Sequence, residues 1–113
     1  DMAQARHMNE SSAFAVLVEE ELRRRVEMSP NPVQQAPFRV PVGANMPAVL
    51  AEIGFVSNPD DERRLKTPEY REVLARSLLR GVKSYLEALN RTQMRQLTDA
   101  ARRSTVAGGR GGR

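Results

Sequence analysis

A single carboxylate, Glu52, lies inside an apolar stretch, and this is where the sequence most clearly offers chemistry. The stretch reads AVLAEIGFVSNP from Ala48 to Pro59. An apolar run of this length is typical of a strand buried on both faces of a parallel sheet. An ionised carboxylate is costly to bury there unless it is paired or opens into a site. Glu52 is therefore predicted to be either a general base at the mouth of a strand or a structural carboxylate that faces solvent or pairs with an arginine.

The other polar candidates fit structural roles better than chemical ones. His7 is the single histidine, so the chain has no histidine pair for a metal ion, and we expect a loop or surface side chain. The acids Asp60, Asp61 and Glu62 have the composition of a metal site, but they occupy the first turn of a predicted helix, where the helix dipole favours negative charge. Asn58 is expected to cap that helix rather than to contact substrate.

Composition describes one small domain with an uneven distribution of charge. Of 113 residues, 40% are hydrophobic and 28% are charged, which is usual for a soluble globular protein, and there is no cysteine for a disulfide or a thiolate metal site. Residues 1–90 carry 12 basic and 13 acidic residues, a net charge of −1, whereas residues 91–113 carry six arginines and one aspartate, a net charge of +5. This division argues against a basic nucleic-acid-binding face on the folded part. The sequence contains no apolar run long enough for a membrane span.

An amphipathic helix and two strands are predicted in the first half of the chain. The helix begins at Ser11 or Ser12, as possible N-caps, and runs to about Glu27. Its apolar residues recur at helical spacing: Phe14, Leu17, Val18, Leu22 and Val26. Residues 23–25, all arginine, are expected on its solvated face. Residues 38–42 alternate like a short edge strand, and the Glu52 stretch is the second strand; within it, Gly54 is expected to ease packing rather than to admit substrate.

Two helices are predicted after the Glu52 stretch. The first is capped at Asn58, has Pro59 at its first position, and ends near Lys66. The second starts at the similar signal Thr67-Pro68 and runs to about residue 90, with Gly81 as an interior weak point. Its apolar stripe consists of Tyr70, Val73, Leu74, Leu78, Val82, Tyr85 and Leu89. A polar helical extension is expected to residue 103, and residues 104–113 are expected to be disordered, with an Arg-Gly end that we interpret as a solubilising terminus rather than an RNA contact.

This order of elements predicts an α/β fold, in which helices surround a buried strand. Two strands are too few to cover the Glu52 strand on both edges. The sequence therefore predicts a portion of a larger sheet.

Several blocks of the sequence resemble one family of cell-wall enzymes. QAPFRV at residues 35–40, NMPAVLAEIGFVSN at residues 45–58, Glu62 with Leu65, and Tyr70 with Leu74 are similar to the C-terminal part of zinc-dependent N-acetylmuramoyl-L-alanine amidases. These enzymes cut the bond between muramic acid and L-alanine in peptidoglycan. The resemblance covers roughly residues 5–90.

The resemblance implies a single α/β domain with a mixed, mostly parallel sheet packed by helices, of which this chain would hold a part. In this family, zinc is held by two histidines and one glutamate, and a further glutamate acts in catalysis. That further glutamate corresponds to Glu52, whereas the zinc ligands lie upstream of the matched blocks and are absent from this sequence. The resemblance thus implies a peptidoglycan hydrolase of the cell envelope, with residues 1–90 as the C-terminal part of its catalytic domain and residues 91–113 as an extension. This chain alone is expected to be inactive, and no signal peptide is recognisable in it. The alternative is a non-catalytic peptidoglycan-binding or regulatory module that lacks the zinc ligands; the sequence does not indicate an oligomeric state.

Overall fold

The computed structural model describes residues 2–27 and 45–109, which form helices joined by irregular chain. The helices in these ranges are α1, Met2–Arg23; α2, Pro59–Lys66; and α3, Pro68–Gly108. Helices α1 and α3 pack as an antiparallel pair. Phe14 stacks on Tyr85 with ring centroids 4.8 Å apart. Val18, one turn after Phe14 on α1, lies against Gly81, which is one turn before Tyr85 on α3.

A small apolar core lies between the two long helices. Val18, Leu22 and Leu74 are buried at its centre. Partly buried side chains pack around them: Phe14, Val26, Leu65, Tyr70 and Leu78. All of these except Leu65 belong to the apolar stripes predicted from helical spacing, so the faces by which both long helices pack are confirmed. Val82 is an exception, because this member of the predicted α3 stripe is 40% exposed.

Small residues allow the two helices to approach closely. Ser77 is fully buried on α3, where its hydroxyl donates to the Val73 carbonyl oxygen at 2.8 Å. One turn later, a Cβ placed on Gly81 would lie 2.8 Å from both the Cα and the Cγ2 atoms of Val18. Gly81 is therefore the contact point of the helix pair rather than only an interior weak point.

The N-terminal helix begins earlier than predicted. It starts at Met2, so Ser11 and Ser12 lie inside the helix instead of capping it. Helix-forming residues precede them, and Glu10 pairs with both Arg6 and His7 on the same face. The helix also ends at Arg23 rather than near residue 27.

The two C-terminal helices begin as predicted, but the second is longer. Helix α2 has Asn58 as its N-cap, Pro59 in its first turn, and its end at Lys66. Helix α3 continues without a break through the expected boundary near residue 90 to Gly108. Residues 104–108, predicted to be disordered, are therefore helical. Residues 110–113 lie outside the described residues.

The prediction of an α/β fold with a parallel sheet is wrong for the described residues. No strand occurs in residues 2–27 or 45–109, and residues 48–58 lie in neither a helix nor a strand. A strand needs a neighbour that pairs with its backbone amide and carbonyl groups, and the described neighbours of this stretch are helices. The other strand predicted, at residues 38–42, lies outside the described residues. In the described ranges, none of the helices has the length and apolarity required to span a membrane.

Candidate functional site around Glu52

The stretch that carries Glu52 is fixed near both ends by side chains from different helices. We call residues 47–58 the Glu52 segment. Near its start, the backbone N–H of Ala48 donates to the hydroxyl oxygen of Ser11 on α1 at 2.9 Å. Towards its end, the backbone N–H of Phe55 donates to the Asp61 carboxylate on α2 at 3.0 Å. Glu52 therefore lies between two anchors, four positions after Ala48 and three positions before Phe55.

The Glu52 segment ends in a turn that leads directly into α2. The Asn58 N–H donates to the Phe55 carbonyl oxygen at 2.9 Å. The Asn58 side-chain oxygen accepts from the backbone N–H groups of Asp60 and Asp61 at 2.9 and 3.2 Å. This is the capping arrangement predicted from the sequence, and it satisfies two donors that the first helical turn leaves open.

Gly54 brings this turn against α2. Its φ is +155°, a conformation that residues with a Cβ rarely adopt. A Cβ at this position would lie 3.3 Å from the Leu65 Cδ1 atom and 3.5 Å from the Asp61 Cβ atom. The contacts agree with the packing interpretation of Gly54.

Glu52 itself is exposed and lies outside any strand, so its predicted place at the mouth of a strand is wrong. Its exposure agrees with the predicted alternative of a structural carboxylate that faces solvent, and it also leaves the role of a general base open to it. Among residues 2–27 and 45–109 it has neither a hydrogen-bonding nor an ion-pairing partner. The arginine-paired interpretation therefore has no support in the described part of the chain. Both carboxylate oxygens are available to a ligand or to solvent, which is the requirement for proton transfer with a bound water.

Unlike Glu52, the neighbouring acids of α2 lie in ion pairs. Asp60 pairs with Arg63, Asp61 lies 3.5 Å from Arg64, and Glu62 lies 2.8 Å from Lys66. All three also sit in the first turn of α2, where the helix dipole stabilises negative charge. The arrangement agrees with the structural interpretation of this cluster.

Zinc, which the resemblance implies, does not fit the residues that the structure describes. In residues 2–27 and 45–109, no group of three or more histidine, aspartate and glutamate side chains converges. His7 is partly exposed on α1, and its Nδ1 atom lies 3.4 Å from a carboxylate oxygen of Glu10. One carboxylate beside one imidazole falls short of the three protein ligands typical of a catalytic zinc site.

Sequence reasoning missed the two anchoring side chains. The sequence predicts Ser11 only as a helix cap, and Asp61 only as an acid that the helix dipole favours. For Asp61 a signal was present: it is the third residue of α2, the position from which an acidic side chain reaches back towards the preceding backbone in a capping box. For Ser11 the contact joins residues 37 positions apart, and no local pattern indicates it.

A second polar group lies between α1 and α3, away from the Glu52 segment. The Tyr85 side chain is 8% exposed, and its hydroxyl makes no hydrogen bond to the described residues. Burial raises the pKa of Tyr85 above its usual value of 10.0, and the nearby Glu10 carboxylate adds to this effect. The group lines a shallow groove with Glu10 and Thr92.

Comparison with known proteins identifies relatives across most of the chain. The profile of the family described as N-acetylmuramoyl-L-alanine amidase matches residues 2–84. The N-acetylmuramoyl-L-alanine amidase AmiC of Escherichia coli O6:H1 is 35% identical over 85 residues, which are 75% of this chain and 20% of that protein. AmiC of Neisseria meningitidis serogroup B is 35% identical over 86 residues, 76% of this chain and 21% of that protein. A Staphylococcus aureus protein named "Probable cell wall amidase LytH" is 30% identical over 76 residues, 67% of this chain and 26% of that protein.

No solved structure matches the chain significantly. The chain spans between 20% and 26% of the length of these curated relatives. The family match includes α1, the Glu52 segment, α2 and the first part of α3, and it ends before the last 25 described residues, 85–109. The match covers well over half of the sequence, and the chain belongs to the N-acetylmuramoyl-L-alanine amidase family.

Proposed function

We propose that this chain is the C-terminal part of a peptidoglycan amidase catalytic domain and that Glu52 is its general base. The substrate is the amide bond between N-acetylmuramic acid and L-alanine, and the place of action is the cell envelope. Residues 1–90 belong to the catalytic domain, and residues 91–113 form an extension of it. The observation that carries the proposal is the family match over residues 2–84, which includes the Glu52 segment.

The geometry of the Glu52 segment supports the role of Glu52. The carboxylate is exposed and unpaired within the described residues, whereas the segment that carries it is tied to α1 through Ser11 and to α2 through Asp61. A general base needs both properties, because it has to reach water and has to be held in position while the proton moves.

In the proposed reaction, water attacks the carbonyl carbon of the amide and gives its proton to a Glu52 oxygen. Glu52 then delivers that proton to the amide nitrogen as the carbon–nitrogen bond breaks. Zinc belongs to the proposal only as a component of the complete catalytic domain. Its ligands have to come from outside the described residues, which supply no group of three.

A hybrid enzyme tests the proposal. The aligned part of Escherichia coli AmiC is replaced by the matching 85 residues of this chain, and the release of peptide from a muropeptide is measured. Glu52→Gln is expected to lower the rate by about 10²- to 10⁴-fold, the usual contribution of a general base.

The matched control is Glu62→Gln, which makes the same chemical change ten positions away, in an exposed ion pair with Lys66. It is expected to leave the rate within about twofold, because exposed pairs contribute little. An unchanged rate for Glu52→Gln, or equal losses in the two variants, would show that Glu52 is not the base.

One observation favours a second candidate, a peptidoglycan-binding module without catalysis: the described residues lack a convergent set of metal ligands. If this candidate is correct, the isolated chain sediments with purified peptidoglycan in the presence of a chelator, and Glu52→Gln sediments equally well. Absence of such binding removes the candidate.

A further inference from the structure

The part of α3 beyond residue 90 has a charge distribution that the amidase family match does not explain. The family match ends at residue 84, whereas α3 continues to Gly108. We call residues 91–108 the α3 extension. Every residue in it is exposed, so it extends beyond the packed core between α1 and α3.

The arginines of the α3 extension differ from most of those in the rest of the described chain, where only Arg71 and Arg80 lie outside ion pairs; Arg71 donates to the Leu65 carbonyl oxygen at 2.8 Å. Seven arginines elsewhere lie in ion pairs with acidic side chains: Arg6, Arg23, Arg24, Arg25, Arg63, Arg64 and Arg76. In contrast, none of the extension's four arginines has an acidic partner among residues 2–27 and 45–109. The positive charge of the extension is therefore available to a partner.

The charges of the α3 extension lie on one side of the helix. At 3.6 residues per turn, its charged residues fall within an arc of about 120°. They are Arg91, Arg95, Asp99, Arg102 and Arg103. The opposite arc of about 140° contains no charge. Its apolar residues are Met94, Leu97, Ala100, Ala101 and Ala107. This arc also contains Gln93 and Ser104, and Val106 lies within the charged arc.

We propose that the α3 extension binds parallel to an anionic lipid surface, with its arginines at the headgroups and Met94 and Leu97 at the boundary with the acyl chains. A helix with basic residues on one face and apolar residues on the other has the pattern of an interfacial membrane helix. Arginines near an anionic surface add electrostatic attraction. The proposal does not depend on the amidase activity or on Glu52.

Two other occupants fit the same surface less well. A second copy of the extension would bring two segments of equal positive charge together, which repel each other. A nucleic acid or another polyanion would use the arginines but leave the uncharged arc without a role. The sequence also has no aromatic residue after Tyr85 for stacking on bases.

Vesicle binding of the full chain tests the proposal. We expect sedimentation with vesicles of phosphatidylglycerol and phosphatidylcholine in equal amounts, weaker binding at high salt, and no binding to phosphatidylcholine alone. The triple variant R91Q/R95Q/R102Q is expected to bind about a hundredfold more weakly, because each arginine near such a surface contributes roughly fivefold.

The control variant R63Q/R64Q/R76Q removes the same charge from exposed residues outside the extension. It is expected to bind nearly as well as the parent chain. Equal losses in the two triple variants, or no binding of the parent chain to the anionic vesicles, would overturn the proposal.

The uncharged arc is tested separately with M94Q/L97Q, which changes no charge. We expect several-fold weaker vesicle binding, with the helical content by circular dichroism unchanged in the absence of lipid. Unchanged vesicle binding would overturn the membrane assignment in favour of a contact made by arginine alone. Tighter binding of the parent chain to duplex DNA than to the vesicles would also overturn the membrane assignment.

Discussion

At the scale of single residues, Glu52 is distinguished from its acidic neighbours by its lack of partners. The three acids of α2 are held by Arg63, Arg64 and Lys66, while the Glu52 carboxylate has no such partner in the described chain. Its backbone is nevertheless held, because Ser11 and Asp61 accept hydrogen bonds from the N–H groups of Ala48 and Phe55. An acid that is chemically available on an anchored backbone is the arrangement expected of a functional group.

Removing one anchor should loosen the end of the Glu52 segment. We expect Asp61→Ala to speed hydrogen exchange at the Phe55 amide, because that N–H loses its carboxylate acceptor, and to lower the free energy of unfolding by about 0.5–1.5 kcal/mol. Exchange measured by NMR provides the test.

Asp60→Ala is the control for this experiment, since it removes the adjacent acid of the same helical turn, which does not contact Phe55. It should leave the Phe55 amide unchanged. Equal exchange rates at Phe55 in the two variants would show that the Asp61 contact does not hold the segment.

At the scale of elements, the close contact between α1 and α3 depends on residues that local rules treat as weak helix formers. Gly81 lies against Val18, and Ser77 is fully buried one turn away. Neither residue contributes apolar side-chain area to the core. Their small size is what lets the larger side chains of the core meet.

Gly81→Ala should destabilise the chain although alanine is the better helix former. The added Cβ would lie 2.8 Å from Val18 atoms, and overpacking costs about 1–3 kcal/mol. The gain in helix propensity is roughly 1 kcal/mol, so we expect a lower free energy of unfolding in urea denaturation.

Gly108→Ala is the control that separates overpacking from helix propensity, because no atom lies within 4 Å of a Cβ at that position. It should leave stability unchanged or slightly raised. A stabilising effect of Gly81→Ala would contradict the packing described for α1 and α3.

Tyr85 gives the helix pair a pH dependence. Its pKa in the folded state is raised above 10.0, so the folded state keeps the proton after the unfolded state has lost it. The free energy of unfolding should therefore fall as the pH rises above about 10, the value of an unperturbed tyrosine. In denaturation experiments across this pH range, the free energy of unfolding should fall less for Tyr85→Phe than for the parent chain. An identical fall in the two proteins would contradict the burial of the hydroxyl.

Sequence patterns predicted helices more reliably than they predicted the Glu52 segment. The cap at Asn58 and the apolar stripes of α1 and α3 depend on neighbours within a few residues, and these were confirmed. A strand depends on a distant partner strand, so the apolar run around Glu52 could suggest one but could not supply its neighbour. The N-cap predicted at Ser11 is wrong because α1 already begins at Met2. The contact that the Ser11 hydroxyl makes with Ala48 could not be predicted either, because the two residues lie far apart in the sequence.

At the scale of the whole molecule, the chain exposes apolar side chains along the Glu52 segment. Leu50 is 52% exposed, Phe55 64% and Val56 82%. Contiguous exposed apolar residues are typical of surfaces that another part of a protein covers. The chain accounts for only 20% of the length of its Escherichia coli relative. We expect the other parts of a complete amidase to cover these side chains.

Phe55→Ser should therefore act differently in two contexts. In the isolated chain, where the ring is exposed, the free energy of unfolding should change by less than about 0.5 kcal/mol. In the hybrid with AmiC, the loss should be about 2 kcal/mol or more, because an aromatic ring would leave a buried site. Equal effects in the two proteins would show that the rest of the amidase does not cover the segment.

The central claim is that Glu52 takes part in the chemistry and not in the stability of the fold. The most direct test measures kcat, KM and the free energy of unfolding of the AmiC hybrid side by side for Glu and Gln at position 52. We expect kcat to fall by about a hundredfold or more, in the range of general base catalysis, while KM and the free energy of unfolding stay the same. An unchanged kcat, or a loss of activity that follows a loss of stability, would contradict the account.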